Sequence, residues 1–277
     1  MGAALSAHKG HPYGKPHCED NEGYMRLLKA LIICAVAAAL WLAPQSPPLR
    51  VLPRPLLGQI MNPLAEAPNL ASLSVGLAAW WKLDEGTGST ATDSSGNGNT
   101  GTWNGTQSGT SGYYSLGKVG PWAGAFDGST DFITASTVPG ETTGSVTFWA
   151  KPTVATSGDS NSRYIWSSSN GCSGEYTASN TLYVYLGCGS QAAATLNWAA
   201  GTWHFVALVW RTAACYVYID GGAARSLPFS TYASDANWYL GSNKSGASNF
   251  YGELDDIRLY SRALSASEIR HLYQSQH

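Results

Sequence analysis

Residues 75–277 predict an all-β domain, a sandwich or barrel of about ten short strands, and three observations carry that reading. Aromatic and β-branched runs recur between clusters of Gly, Ser, Asn and Asp. Several runs alternate in polarity with the two-residue period of a strand. The 277 residues include 31 Gly, 11 Trp and 15 Tyr with only 12% charged residues. So many aromatics need a core to fill, which argues against a disordered chain.

The first predicted strand, Ala78–Leu83, carries Trp80 and Trp81 and ends at Asp84-Glu85-Gly86. Trp122–Phe126 and Asp131–Ala135 flank the turn sequence Asp127-Gly128. Ser145–Lys151 contains the alternating stretch Val146-Thr147-Phe148-Trp149-Ala150. Arg163–Ser168 and Thr181–Leu186 follow, separated by Gly-rich sequence. Thr202–Trp210 becomes apolar on both faces at its end, as a central strand does. His204 lies in it and is read as a strand histidine with a satisfied hydrogen bond. Cys215–Asp220, Trp238–Gly241 and Gly252–Tyr260 complete the set. A single helix comes last: Ser265-Ala266-Ser267-Glu268 is a capping box ahead of Ile269, Leu272 and Tyr273.

The segment before this domain reads as targeting. From Met25, two basic residues (Arg26, Lys29) precede an apolar run from Ala30 to Ala43, the layout of a secretory signal at residues 25–43. That run is shorter than the roughly 20 residues of a membrane span, which favours cleavage; if uncleaved, residues 27–43 are the membrane anchor. Either way the domain is expected to be exported, secreted or held at the outer surface. Residues 1–24 do not fit in front of a signal, so translation is expected to start at Met25. No folded element surrounds His8, His11, His17 and Cys18 to make a metal site of them. The myristoylation-like start at Gly2 conflicts with the export signal, and a lipid anchor at Cys34 is rejected because it follows Ile33, where a small residue is expected, and lies inside the apolar run. Residues 44–74 hold seven of the 13 prolines and read as a spacer.

Residues 75–277 carry ten Lys/Arg against fourteen Asp/Glu. A mildly acidic domain is a poor phosphate-backbone binder, which excludes nucleic acid as the expected partner.

Seven motifs in order now carry a family resemblance. They are Trp81-Lys82-Leu83-Asp84-Glu85-Gly86-Thr87-Gly88, Asp93-Ser94-Ser95-Gly96-Asn97-Gly98-Asn99-Thr100-Gly101, Ala125-Phe126-Asp127-Gly128, Phe148-Trp149-Ala150-Lys151-Pro152, Gly201-Thr202-Trp203-His204-Phe205-Val206-Ala207, Tyr218-Ile219-Asp220-Gly221 and the run from Gly252 to Ser265. Together, over residues 76–273, the chain resembles a LamG-like jelly-roll domain of the concanavalin A-like superfamily. The resemblance implies an antiparallel two-sheet jelly-roll sandwich closed by a short C-terminal helix. It is far less specific for function, because the superfamily holds lectins, adhesion modules and glycanases.

An enzyme of this kind would resemble the retaining glucanases, which need two Glu on one sheet face in a Glu-x-Asp-x-(x)-Glu pattern. The nearest match, Glu253-Leu254-Asp255-Asp256-Ile257-Arg258, lacks the second Glu, so no catalysis is expected. The resemblance also implies a structural calcium ion tying an early loop to the final strand, carried over to Asp127 and Asp255 with Asp256 as substitute. The alternative is that an aspartate pairs with Arg258 or Arg262 while Asp127 caps a turn.

After export, Cys172, Cys188 and Cys215 remain. Cys172 and Cys188 bracket the strand Thr181–Leu186; a disulfide closing about 15 residues would stabilise the fold by roughly 3 kcal/mol in the chain-entropy model. Cys215 is then the odd thiol, a buried strand residue.

Sugar binding needs aromatic faces for the pyranose ring and amides or carboxylates for its hydroxyls. Tyr113, Tyr114, Tyr176, Tyr232 and Trp238 lie in or near polar loop sequence, with Asn170, Asn180, Asn237 and Asn243 nearby; core packing is the alternative for each. The expected function is therefore a non-catalytic binding module for glycans. An adhesive module recognising extracellular proteins is the second reading and a divergent glycoside hydrolase the third.

Overall fold

The computed structural model describes residues 70–107, 112–138, 142–169, 172–185, 190–211, 214–228 and 236–276. The signal and leader segments, Cys188, Asn170 and Tyr232 lie outside these residues.

Sixteen strands and one helix make up the described domain. In chain order they are β1 (Leu77–Trp81), β2 (Thr90–Ala91), β3 (Gly101–Asn104), β4 (Tyr114–Leu116), β5 (Trp122–Asp127), β6 (Phe132–Val138), β7 (Gly144–Pro152), β8 (Arg163–Ser168), β9 (Ser173–Tyr176), β10 (Thr181–Tyr185), β11 (Ser190–Thr195), β12 (His204–Arg211), β13 (Ala214–Ile219), β14 (Arg225–Pro228), β15 (Ala236–Leu240), β16 (Tyr251–Tyr260) and helix α1 (Ala266–Ser275). The ten predicted strands all form, with ends shifted by up to two or three residues. The sequence reading missed β2, β3, β4, β9, β11 and β14, which come from Gly-, Ser- and Thr-rich stretches too short to show a period of their own. Neighbouring strands supply their hydrogen bonds.

Two antiparallel eight-stranded sheets form the sandwich. The first runs β14-β13-β12-β7-β16-β5-β4, with β1 also on β16. The second runs β11-β10-β9-β8-β15-β6-β3-β2. β16 takes two partners in succession along one edge, while on its β7 edge the register shifts between Asp255 and Arg258, where Asp256 takes φ +47°. Its first half pairs with β5 and its second with β1.

The main core lies between the sheets and includes Phe148, Ile165, Trp166, Tyr176, Leu208, Trp238 and Leu254. A second cluster covers the outer face of the first sheet, where Trp149, Phe205, Val209 and Tyr260 pack beneath Leu264, Ile269 and Leu272 of the α1 region. This explains why β12 is apolar on both faces: Val206, Leu208 and Trp210 face the sandwich core, whereas Phe205, Ala207 and Val209 face the helix. The outer face of the second sheet has no such cover among the described residues.

The predicted capping box is present, with the Ser265 hydroxyl accepting from the Glu268 N–H and the Glu268 carboxylate accepting from the Ser265 N–H at 2.8 Å. Burial alone would raise the Glu268 carboxyl, but the Arg262 guanidinium at 2.7 Å and the Ser265 groups hold it down to about 2. Arg262 also donates to the carbonyls of Ser72 and Val75, both at 2.7 Å. It thereby docks a 3-10 turn, Leu70–Ser74, whose Leu73 is buried in the second cluster. These five residues belong to the stretch read as spacer. Among the described residues no helix is long and apolar enough to cross a membrane.

Candidate functional site

The outer face of the second sheet carries the candidate site. In β10 the residues alternate, so that Leu182 and Val184 enter the core while Tyr183 and Tyr185 stand on the opposite face. Register aligns Tyr185 with Ser173, Tyr183 with Glu175, and Glu175 with Tyr164. A register shift between Tyr164 and Trp166 keeps Trp166 in the core and places Ser167 across from Ser173 and Tyr239.

A cavity of about 240 Å³ opens here, lined by Tyr164, Ser167, Ser168, Cys172, Ser173, Tyr185, Asn243, Lys244 and Ser245. The last three belong to a tight loop in which the Asn243 side-chain oxygen accepts from the N–H groups of Ser245 and Ala247, at 2.9 and 3.0 Å. Next to the cavity Glu175, 5% exposed, accepts a 2.8 Å hydrogen bond from the Tyr185 hydroxyl and stands in register with Tyr164. Burial together with the Glu175 charge pushes the Tyr164 phenol well above its ordinary range. The result is a hydroxyl-rich hollow walled by two tyrosines and floored by serines, the chemistry that suits a polyhydroxylated ligand.

The aromatics singled out from loop proximity are elsewhere. Tyr113, Tyr114, Tyr176 and Trp238 are at most 5% exposed and belong to the main core. Tyr113 stacks on Trp103 with centroids 4.6 Å apart. The Tyr114 hydroxyl donates to the Thr90 carbonyl, that of Tyr176 to Asp159. Trp238 stacks on Trp166 at 4.8 Å. None of these four offers a face to a sugar, because each lies on the inward phase of its strand or turn, and the three tyrosine hydroxyls are satisfied internally. The usable signal was the alternation in Thr181-Leu182-Tyr183-Val184-Tyr185, which assigns the tyrosines to the outer face. Asn243 was noted from sequence; Tyr164, Ser167, Glu175 and Tyr185 were not.

The structure also separates the aspartates expected to hold calcium. Asp127 pairs in register with Tyr251, four residues before Asp255 on β16, roughly 13 Å away at strand rise. The Asp127 carboxylate accepts from the N–H groups of Ser129, Thr130 and Asp131, and caps the turn. Asp256 pairs with Arg258 at 3.0 Å and accepts from Trp80 Nε1 and Gln276 Nε2. Asp255 is fully buried and its Oδ2 accepts from Lys118 and Val119 N–H at 2.7 and 2.8 Å. This donor set does not converge on one ion; the capping and ion-pair alternative describes it. Among the described residues no group of three or more His, Cys, Asp or Glu is placed to hold a metal.

A guanidinium stands at the junction assigned to the cation. Arg163 donates through Nη1 to the carbonyls of Gly128 at 2.9 Å and Asn249 at 3.1 Å, and through Nε to Asp159 at 2.9 Å. It thus ties the loop after β5 to the segment entering β16. Gly128 is required there: its φ is +74°, and a Cβ would meet Tyr251 at 2.8 Å and Arg163 Nη1 at 3.0 Å.

The glucanase-like residues form no open pair of carboxylates. Glu253 pairs with Lys151 at 3.1 Å, and Asp255 and Asp256 are engaged as above. Burial, reinforced by the Asp256 charge, raises the Asp255 carboxyl to about 7. A native pKa above the unfolded value means that the folded chain holds the extra proton between about pH 4 and pH 7, so this group lowers stability as pH rises through that window. Replacing it by Asn is expected to flatten the profile, removing a loss on the order of 3 kcal/mol between pH 5 and pH 8; urea melts of both chains at those two pH values measure it.

His204 matches its reading: Nδ1 lies 2.8 Å from Asp220, and the ring stacks on Trp198 at 4.7 Å. Cys215 is buried in β13, its thiol pushed up to about 12 by burial and the nearby Cys172. Cys172 is buried as well, and its expected disulfide partner Cys188 lies outside the described residues.

A two-sheet sandwich with one helix-covered face and one open, hydroxyl-lined face defines the class, and the sequence comparison agrees. The Laminin_G_3 family, of the concanavalin A-like lectin/glucanases superfamily, matches residues 127–270, just over half of the chain, and the chain belongs to it. No protein of curated function matches the sequence. Among solved structures, domain 4 of AbnA, a GH43 extracellular arabinanase from Geobacillus stearothermophilus solved in complex with arabinotriose, is similar at 24% identity and TM-score 0.56 over 72% of this chain and 98% of that one. A structure of botulinum neurotoxin type C, whose cell entry depends on interaction with two ganglioside molecules, is similar at 13% identity and TM-score 0.58 over 76% of this chain. The serotype D ligand-binding domain in complex with N-acetylneuraminic acid is similar at 15% identity and TM-score 0.53 over 74%. The chain spans 53% and 52% of those two neurotoxin chains. At these identities the likeness is one of fold.

Proposed function

We propose that the domain is an exported, non-catalytic carbohydrate-binding module whose ligand enters the cavity between β8, β9, β10 and the Asn243–Ser245 loop. The observation that carries this reading is the cavity itself: tyrosine and serine hydroxyls converge on the sheet face that no helix covers. Structures of the same fold have been solved with arabinotriose and with N-acetylneuraminic acid, which supports sugars as the ligand class. The engagement of Glu253, Asp255 and Asp256 within the fold supports binding without hydrolysis.

The test is an immobilised full-length chain probed with a panel of arabino-, gluco-, galacto- and sialyl-oligosaccharides. Binding is expected, and Tyr185→Ala is expected to weaken it about tenfold or more through the lost hydroxyl and ring face. Binding that survives Tyr185→Ala would move the site elsewhere. No binding to any sugar would turn the weight to an adhesive, protein-binding module.

A further inference from the structure

Strand register on the uncovered face of the second sheet aligns seven hydroxyl-bearing residues from seven successive strands. Tyr185 of β10 is opposite Ser173 of β9, and Ser173 is opposite Ser167 of β8. Ser167 is opposite Tyr239 of β15, Tyr239 is opposite Thr134 of β6, Thr134 is opposite Thr102 of β3, and Thr102 is opposite Thr90 of β2. Residues paired across antiparallel strands share a face. The adjacent row, Trp166, Leu240, Ile133 and Trp103, is in the main core, so the hydroxyl row points outward. With strands about 4.8 Å apart, the row is roughly 29 Å long and sets Tyr185 and Tyr239 roughly 14 Å from each other.

Only one end of this row belongs to the cavity. Ser173 and Ser167, 6% and 4% exposed, are on its floor and Tyr185 is in its wall. Beyond them Tyr239 and Thr134 are half-buried and Thr102 and Thr90 are exposed, so the row runs out of the cavity onto open sheet. A hydroxyl can donate and accept at once, as each sugar hydroxyl does, and the two tyrosines add ring faces at separated points. None of the seven is charged, so a sugar ring lies along them without stripping water from an ion. A single terminal sugar held in the cavity would leave Tyr239, Thr134, Thr102 and Thr90 untouched.

We infer that the ligand is a linear oligosaccharide chain lying across the strands along this row, one end seated in the cavity and the rest on Tyr239, Thr134 and Thr102. This rests on the sugar-site reading above and names the form of saccharide that the site takes.

Calorimetric titration of the full-length chain with arabino-, gluco- and galacto-oligosaccharides, each as linear disaccharide and hexasaccharide, and with sialyllactose measures it. In a series that binds, the hexasaccharide is expected to bind about tenfold or more tighter than the disaccharide. Tyr239→Ala and Thr102→Val, both on the outer face, are expected to cancel most of that gain while leaving the disaccharide affinity and the melting temperature near wild type. Tyr185→Ala, at the cavity, is expected to weaken both lengths. Equal affinity for the two lengths, hexasaccharide binding unchanged in both row variants, or binding of sialyllactose alone overturns this inference and leaves the sugar site standing. Failure of every sugar to bind overturns the site reading and this inference with it.

Discussion

Replacing Arg163 by Met is expected to cost about 3–5 kcal/mol, because it leaves the buried Asp159 carboxylate without its cation. Burial on its own raises the Asp159 carboxyl; the Arg163 bonds and those from Asn161 outweigh it and hold the group below its usual range. The loss spreads beyond the pair. The Gly128 and Asn249 carbonyls lose a shared donor, and the Tyr176 hydroxyl is left on an unpaired carboxylate. Arg163→Lys is expected to recover only part of this, since an ammonium lacks the planar fork that reaches two carbonyls and a carboxylate together. Asp159→Asn in the Arg163→Met background should also recover part, by removing the stranded charge. Because the guanidinium does the tying at this junction, the wild-type melting temperature should be the same in calcium and in EDTA. A chelator-induced drop of several degrees, or an Arg163→Met chain as stable as wild type, would remove the guanidinium from this role. Thermal and urea melts decide both points.

Trp238→Ala is expected to be comparably severe, at about 3–5 kcal/mol and a melting temperature lower by on the order of 10 °C. The ring is stacked on Trp166 in the main core and only 2% exposed, so its removal leaves a large cavity that rigid strands on either side cannot close. The measurement also separates core from ligand platform. A platform tryptophan would cost affinity and leave the melting temperature near wild type; a core tryptophan lowers stability first. Tyr239, the next residue along β15, offers the contrast: it stands on the outer face in register with Ser167, and its substitution by Ala should be felt far less in stability.

These two residues show where reading from sequence ran out. The alternation of Val146–Ala150 identified a strand, and Trp203–Trp210 a central one because it becomes apolar on both faces at its end; a local pattern suffices for that. The capping box at Ser265 was equally legible, since a cap is a contact between residues three apart. Six short strands were not legible, because a two- to six-residue segment such as Thr90–Ala91 owes its conformation to its partner strand. Trp238 was placed near a loop by its neighbours in sequence, whereas its burial depends on the phase of β15 against β6 and β8. The alternation of Leu182, Tyr183, Val184 and Tyr185 did hold the phase of the candidate site. It becomes informative once one face is known to be covered and the other open.

From the sequence by itself came the fold class, the family and the closing helix. Each depends on composition, on short-range periodicity or on motifs in order along the chain. Only the tertiary structure decided that Asp127, Asp255 and Asp256 do not meet, that Arg163 joins the loop after β5 to the last strand, and that Tyr164, Ser167, Glu175 and Tyr185 come together. Those relations join side chains from different strands. Register, a one-residue shift in β8 and the choice of which sheet face the helix covers set them, and a one-residue change in register turns every side chain to the opposite face.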